Sequence, residues 1–343
     1  MIKDVNVTIA VERVIEKGSQ YFPLIFSVGA AQEYTEMDLQ TARENTSIKD
    51  MAELIINGDN PPEKIAIYGV ETCTSTSDIT NALKKVLDKN WRQLVISGET
   101  AVLTKEIMSG LMDYVETTTK IMFIPYHLFK PVSVSDPTKY ERSIVVAGST
   151  LDTEGGSYDK SEEIKNIMCI LGAVGGLEAG SFSYKNMIVN GANVLSDEEF
   201  GKNIGNSAPF IMAILEKAGD EVISDGKAIS GDYIDITDST DYIVNEMEYQ
   251  TQKLMNSQNK IPYTNNGIAM LESVAVNVLK TAYNNGMIAD NEDGSPAYSV
   301  SFGLREDANA EDVKTRRYIE GNFNFVVAGA IHEVEINGTM KYV

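Results

Sequence analysis

Cysteine and histidine are both scarce in this sequence. Its 343 residues include two cysteines, Cys73 and Cys169, and two histidines, His127 and His332. The cysteines fall in a predicted loop and a predicted buried helix, so they cannot form a disulfide framework or a zinc quartet within one chain, and a reducing compartment suits them best. No nucleophile elbow accompanies the histidines, so we interpret both as surface or satisfied structural residues rather than as members of a Ser-His-Asp site.

Positive charge is also in short supply. Lys and Arg number 29 against 50 Asp and Glu, which gives a formal net charge of −21. An average surface of this sign repels duplex DNA and anionic membranes. The sequence has no unbroken apolar run of about 18 residues, and no basic segment followed by an apolar run at its start. We therefore expect no membrane insertion and no export signal, while 43% hydrophobic residues are enough for a full core.

The sequence has no strong nucleotide or metal signature. The glycine-rich segment 172–180 lacks the Gly-Lys-Ser/Thr ending of a phosphate loop and follows a predicted helix, which favours close packing at a helix end over anion binding. A run of aspartates, like the segment 290–294, lacks the ligand order of an EF-hand, so solvated loops are favoured over calcium binding. We predict no catalytic residue, no metal ligand and no cofactor. The aspartates of the run are Asp225, Asp232, Asp235, Asp238 and Asp241.

Apolar segments in the first half alternate between strand-like and helix-like spacing. Continuous apolar strands separated by amphipathic helices are typical of a largely parallel sheet flanked by helices. We therefore predict an α/β domain over residues 21–180. Its strands are predicted at 22–28, 64–70, 93–97, 120–125 and 143–147, and its helices at 77–88, 104–115 and 161–177.

After about residue 180, short strands mix with longer helices, which predicts an α+β domain over residues 181–330. The helix predicted at 267–285 begins with a segment that is apolar nearly all round. This favours burial in the core over binding to another protein, with Thr264 or Asn265 as the cap. The other elements are strands at 186–189, 231–236, 298–304 and within 323–342, and helices at 197–218, 243–257 and 309–318.

Both ends of the sequence have the alternation of β-strands. A strand needs a second strand to satisfy its N–H and C=O groups, and segments at the ends are easily donated to a neighbouring subunit. We therefore predict an N-terminal strand arm with a linker at 1–20 and a C-terminal strand arm at 331–343, both exchanged between subunits. The residues predicted to pair between subunits are Val5, Val7, Ile9, Val11, Val334, Ile336, Met340 and Tyr342.

Four segments resemble a known family in the same order along the chain. They are residues 64–70 (KIAIYGV), residues 261–268 (IPYTNNGI), the pair Arg316-Arg317 ahead of a strand, and residues 327–339 (VAGAIHEVEINGT). The last segment is the most specific. On these segments the chain resembles the contractile tail sheath proteins of bacteriophages and phage-tail-like bacteriocins.

The resemblance implies a virion structural protein and not an enzyme. Such a subunit would polymerise as helically stacked hexameric rings around an inner tube and contract to drive the tube through a target cell envelope. The implied partners are other copies of the chain, the inner tail tube protein, and baseplate and tail-terminator proteins, without nucleic acid. The particle would be assembled in the bacterial host cytoplasm, and the short length suggests a minimal sheath without added outer domains.

The resemblance also implies a tube-contacting element, because in such sheaths a helix shortly before the last strand faces the tube. Lys314, Arg316 and Arg317 in the predicted helix 309–318 are then the tube-contact residues. A solvated helix face or intramolecular ion pairs are the alternative interpretation, since exposed charges contribute little unless they are partnered.

Two other classes of function stay open on the sequence alone. The first is another structural protein of a tail or secretion machine, such as a tube or baseplate subunit. Tube proteins are usually smaller and dominated by β-structure, which the helix-rich middle of this chain argues against. The second is an enzyme with an α/β core, for which the sequence singles out no pocket residues.

Overall fold

The computed structural model describes most of the chain between Phe22 and Met340. The predicted N-terminal arm and its pairing residues Val5, Val7, Ile9 and Val11 lie outside the described residues, as does Tyr342. The described residues are 22–98, 101–130, 132, 134–148, 160–196, 198, 200 and 210–340.

A seven-stranded sheet forms the centre of the fold. Its strands are β1 (Phe22–Val28), β2 (Gln32–Asp38), β3 (Lys64–Val70), β4 (Trp91–Ser97), β5 (Ile121–Pro125), β6 (Ser143–Val146) and β7 (Ile211–Met212). Their order is β2-β3-β1-β4-β5-β6-β7, and every neighbouring pair is parallel except β2 and β3. The predicted largely parallel sheet is therefore confirmed, and the sequence located five of its strands.

Helices cover both faces of this sheet. One face carries α1 (Leu39–Glu44), α2 (Lys49–Ile56) and α6 (Lys160–Val174), and the other carries α3 (Thr76–Lys84), α4 (Lys105–Val115) and α5 (Tyr126–Phe129). Strand β1 is buried between them, because Leu24 and Phe26 belong to one core and Ile25 to the other. Local signals set the helix starts, as at α3, where Ser75 and Asp78 form a capping box.

The second half adds a hairpin, two long helices and a second small sheet. Its elements are β8 (Ile214–Lys217), β9 (Asp220–Ile223), α7 (Ile234–Ser257), α8 (Asn265–Asn284), β10 (Tyr298–Phe302), α9 (Ala310–Lys314) and β11 (Gly321–Phe325). Helices α7 and α8 pack together, and α8 also packs against β10 and β11. Of the two predicted caps, Thr264 is the one that caps α8, because its side chain accepts from the backbone N–H of Gly267.

Three predictions in this half are wrong. The segment 231–236 is not a strand, because helix α7 begins at Ile234 and its buried residues continue with helical spacing. The helix predicted at 197–218 does not include 211–217, where Ile211 and Met212 pair with the open side of β6 and the next residues form a hairpin. The segment 186–189 forms no strand and contributes a single bridge from Ile188 to Val222.

The predictions for the end of the chain are also too long. Strand structure within 323–342 ends at Phe325, and the described residues after it form only a single bridge between Val327 and Ile288. The helix predicted at 309–318 has five residues, because Arg316 adopts a left-handed φ of 59° that a helix cannot continue through. The sequence did not predict β2, α1 or α2, which are short elements at one edge of the sheet.

The predicted domain boundaries at residues 20, 180 and 330 stay predictions. Strand β7, from the second half of the chain, completes the sheet built by the first half. Within the described part of the chain, no helix combines the length and the hydrophobicity needed to cross a bilayer.

Candidate assembly surfaces

Strands β10 and β11 form a small sheet with two open edges. Its apolar side chains pack toward α8, and its other face carries exposed polar residues such as Ser299, Ser301, Asn322 and Asn324. Within the described residues no third strand pairs with either β10 or β11. An edge strand with unpaired N–H and C=O groups is a template for a further strand, so this sheet is a candidate acceptor.

The segment after β11, residues 326–340, is the C-terminal tail, and it holds three of the predicted pairing residues. Val334, Ile336 and Met340 are 74%, 87% and 72% exposed, and no strand forms among the described residues of the tail. All three occupy even positions, so they would share one face if the tail became a strand. Exposed apolar residues in such a row are characteristic of a segment that is buried against a partner.

The tail leaves the body of the subunit at His332. The Nε2 atom of His332 lies 2.7 Å from the hydroxyl oxygen of Ser183, and its ring meets the ring of Tyr233 edge-on at a centroid distance of 4.7 Å. Burial lowers the pKa of His332, and the nearby Lys185 acts in the same direction. These contacts make His332 a structural residue that joins the tail to the rest of the chain.

His127 has a different structural role. Its Nδ1 atom lies 2.5 Å from a carboxylate oxygen of Glu163, and the same carboxylate accepts the backbone N–H of His127 at 3.0 Å. Burial raises the pKa of Glu163, and the hydrogen bonds from His127 act against this. The pair links α5 to α6, and its contacts are those of a satisfied structural histidine.

The predicted tube-contact residues lie together on an exposed segment. Lys314 ends α9, and Arg316 and Arg317 follow it on the surface. The ammonium of Lys314 is 3.8 Å from the carboxylate of Glu311, with 78% and 69% of the two side chains exposed. An ion pair this exposed contributes little to stability, so Lys314 can exchange Glu311 for an acidic group of a partner at small cost.

Four buried charges connect α7 to the sheet, and the sequence singles out two of them, Asp238 and Asp241, but neither Arg92 nor Arg142. Arg92 at the start of β4 donates from Nε to Asp238 at 2.9 Å and from one terminal nitrogen to Asp241 at 3.1 Å. Arg142, just before β6, donates twice to Asp241, at 2.6 Å and 2.8 Å. All four residues are buried, so each charge is stabilised by the opposite charges beside it rather than by water.

The two aspartates of this cluster have opposite pKa shifts. Burial raises the pKa of Asp238, and Arg92 offsets this only in part. Burial also acts to raise the pKa of Asp241, but Arg142 and Arg92 together outweigh it and the net pKa is lowered. Asp241, which accepts from both guanidinium groups, is therefore the carboxylate that these contacts hold in its charged form.

The solvated-loop interpretation is wrong for Asp235, Asp238 and Asp241, which lie in α7 and are buried. Their spacing of three residues is a signal for one helix face, and it was available in the sequence. The calcium alternative gains no support, since the described residues contain no group of three or more metal-ligating side chains suited to an ion.

The glycine-rich segment 172–180, which begins in the last turn of α6, packs closely against another helix, as the sequence predicted. A Cβ atom on Gly172 would lie 2.5 Å from the backbone oxygen of Ile55 at the end of α2. The backbone oxygen of Gly172 accepts from the backbone N–H of Asn60 at 3.0 Å, and Gly176 donates to Asn60 at 2.7 Å. The backbone groups of this turn are thus used for packing rather than for an anion.

The overall fold is similar to that of solved contractile sheath proteins. Residues 234–297, which include α7 and α8, match the family model described as "E217 tail sheath protein gp31-like, C-terminal domain". The resemblance stated from the sequence is confirmed by this match together with the structural similarities. No curated protein matches the chain in sequence.

Three solved structures have closely similar folds. The helical sheath of the anti-feeding prophage (AFP) in its contracted state matches with a TM-score of 0.67 and 12% identity, covering 98% of each chain. A chain of the six-fold symmetrised AFP baseplate matches with a TM-score of 0.65, 12% identity and the same coverage. The contracted PVC sheath complex of an extracellular contractile injection system matches with a TM-score of 0.64 and 10% identity, covering 99% of this chain and 98% of its own. At these identities the likeness concerns the fold.

Proposed function

We propose that this chain is the structural subunit of a contractile sheath. It polymerises as helically stacked hexameric rings around an inner tube and contracts to drive the tube through a target cell envelope. The open β10–β11 sheet beside an exposed apolar tail is the observation that carries this proposal. The near-complete coverage of sheath structures and the six-fold symmetry of the AFP baseplate assembly support it.

In the proposed assembly, the small sheet of one subunit accepts strands from its neighbours. As a strand, the C-terminal tail would place Val334, Ile336 and Met340 on one face and extend the apolar face that β10 and β11 turn toward α8. The predicted N-terminal arm, with Val5, Val7, Ile9 and Val11, is the second donor. Main-chain ladders of this kind keep subunits connected while their bodies rotate and slide.

Contraction then needs no nucleotide. The extended sheath is a kinetic trap assembled on the tube, and the contracted sheath buries more favourable surface between subunits. The inner tube protein contacts Lys314, Arg316 and Arg317, and the ends of the sheath contact baseplate and tail-terminator proteins. The particle, a virion or a phage-tail-like device, is assembled in the bacterial host cytoplasm.

A baseplate subunit is the second candidate, because one similar chain belongs to a baseplate structure. The two candidates differ in the polymer that they form. A sheath subunit extends by stacking rings, whereas a baseplate subunit stops at a single closed assembly.

Electron microscopy of the purified full chain tests the proposal. We expect hollow helical tubes or stacks of rings, and we expect deletion of residues 334–343 to abolish them while leaving a folded subunit. Replacement of Ser299 and Ser301 by alanine on the polar face of β10 is the matched control and should leave polymers unchanged, because strand pairing uses backbone groups. Single rings would favour the baseplate candidate, and unchanged tubes from the deleted chain would exclude tail exchange.

A further inference from the structure

The first part of the C-terminal tail is held against its own subunit. The backbone oxygen of Val326 accepts from Ala289, and the backbone N–H of Ala328 donates to Met287, both at 2.9 Å. These bonds fix residues 326–328 to the segment that joins α8 to β10. The direction of the tail beyond this point is set by the contacts of the next few residues.

Those contacts are made with a surface that we call the tail cradle, formed by Ser183, Lys185, Tyr233 and Asp235. His332 reaches Ser183 through Nε2 and packs edge-on against Tyr233 at an interplanar angle of 77°. Burial raises the pKa of Asp235, and the nearby backbone N–H of Ala330 is one of the groups that act against this. The carboxylate of Glu333 lies 4.0 Å from the ammonium of Lys185.

Exposure along the tail changes abruptly at this cradle. Ile331 is 83% exposed and Val334 is 74% exposed, whereas the Nδ1 atom of His332 between them is buried. The side chain of Glu333 is 93% exposed, so its contact with Lys185 is peripheral. Among the described residues of the tail, His332 therefore has the side chain that packs most closely in the cradle.

We propose that His332 is a positioning residue that fixes the root of the C-terminal tail to its own subunit, so that the segment available for exchange begins at residue 334. This inference rests on the proposed function, because it names the point from which the donated strand starts. Each extended residue beyond 333 then adds roughly 3.3 Å of reach from this fixed point. A fixed root also transmits rotation of the subunit body directly to the donated strand.

Hydrogen exchange of the unassembled full chain tests the anchor. Either His332→Ala or Ser183→Ala should accelerate exchange within 329–333 roughly fivefold or more, above all at the amide of Ala330 beside the Asp235 carboxylate, because the side-chain contact that holds this segment in place is lost. Exchange at 326–328 should not change, because those residues are held by the backbone of 287–289. His332→Gln, whose side-chain amide can either donate to or accept from the Ser183 hydroxyl, should recover part of the protection.

Two matched variants serve as controls. Ser181→Ala removes a neighbouring exposed hydroxyl that bonds to Glu178, and Glu335→Ala changes an exposed tail residue beyond the anchor. Neither should alter exchange at 329–333. Unchanged exchange in both His332→Ala and Ser183→Ala would overturn the anchor, whether or not the chain polymerises. If residues 329–333 are protected from exchange in a chain that never forms sheath polymers, the result would instead count against the proposed function alone.

Discussion

At the scale of single residues, the buried charges of Arg92, Arg142, Asp238 and Asp241 have the largest consequences for stability. Replacing a whole buried ion cluster by apolar residues is often neutral, but removing one partner leaves an uncompensated charge. Asp241 bonds to both guanidinium groups, so its loss leaves two charges without their shared acceptor. The cluster joins the first turns of α7 to the sheet.

We expect Asp241→Asn to destabilise the subunit by about 3–5 kcal/mol, since the neutral amide cannot balance the buried charges of Arg92 and Arg142. Urea unfolding measures the change. Asp232→Asn, at an exposed position just ahead of α7, is the matched control and should stay within about 0.5 kcal/mol. Equal stability of both variants would mean that the cluster contributes nothing that the sheet and helix do not already provide.

Attachment of the tail root should depend on pH. Burial lowers the pKa of His332 below its usual value of about 6.5, with Lys185 acting in the same direction and Asp235 against it. The imidazole of His332 therefore binds a proton less readily when it is held in the cradle than when the tail is detached. Attachment is strongest above a pH of about 6.5 and is lost as the pH falls through the lowered pKa of His332. The charged groups around the imidazole are Lys185, Lys227, Asp225, Asp235 and Glu333.

Imidazole NMR signals measure this titration directly, because the chain has only two histidines. The signal of His332 should titrate below the usual range, and exchange at 329–333, corrected for the intrinsic effect of pH, should accelerate over the same interval. His332→Gln should remove the pH dependence. A His332 signal that titrates in the ordinary range would contradict the effect of burial.

At the scale of elements, the sequence predicted the strands and helices that have strong local patterns, but it did not predict the contacts that depend on the tertiary fold. The strands Phe22–Val28 and Lys64–Val70 match their predicted bounds, because apolar runs of this length suit a sheet buried on both faces. The edge strand β2 carries alternating exposed residues and has no such signal. The contact of Arg92 with Asp238 joins residues 146 positions apart, so no local pattern reveals it.

The C-terminal tail is a second case in which a local sequence pattern does not determine the structure. Its alternation predicted a strand, but residues 329–340 have no strand partner among the described residues of their own subunit. A strand pattern describes which face a segment can bury, whereas a strand forms only when a second strand is present. The sequence thus predicts that Val334 and Ile336 pair with a neighbouring subunit, but it does not indicate the cradle that holds His332.

Contact between α2 and α6 depends on a glycine. A Cβ atom at position 172 would lie 2.5 Å from the backbone oxygen of Ile55, which is too close for any side chain. We expect Gly172→Ala to destabilise the subunit by about 1–3 kcal/mol, because the helices must separate or shift. Thermal or urea unfolding measures this, and Gly338→Ala, with no atom within 4 Å of its added Cβ, is the control. A stability equal to that of the control would show that the helices adjust at no cost.

At the scale of the whole molecule, charge is distributed in a way that matters for assembly. The chain carries a formal net charge of −21, yet Lys314, Arg316 and Arg317 stand together on an exposed segment. A small basic patch on an acidic body can orient a subunit toward an acidic partner while the rest of its surface is repelled. Exposed contacts of this kind are also weak enough to be released in the contraction proposed above.

Reversal of this patch is therefore expected to weaken assembly on the tube. The triple change Lys314→Glu, Arg316→Glu and Arg317→Glu should reduce co-sedimentation with the purified inner tube, and added salt should weaken the unaltered contact because exposed charges are screened. Glutamate at the exposed positions Lys253, Lys260 and Lys280 changes the net charge equally and is the matched control. If both triple variants lose tube binding to the same extent, overall charge is responsible. If only the first loses it, the segment after α9 contacts the tube, and unchanged binding by the first would remove that segment from the interface.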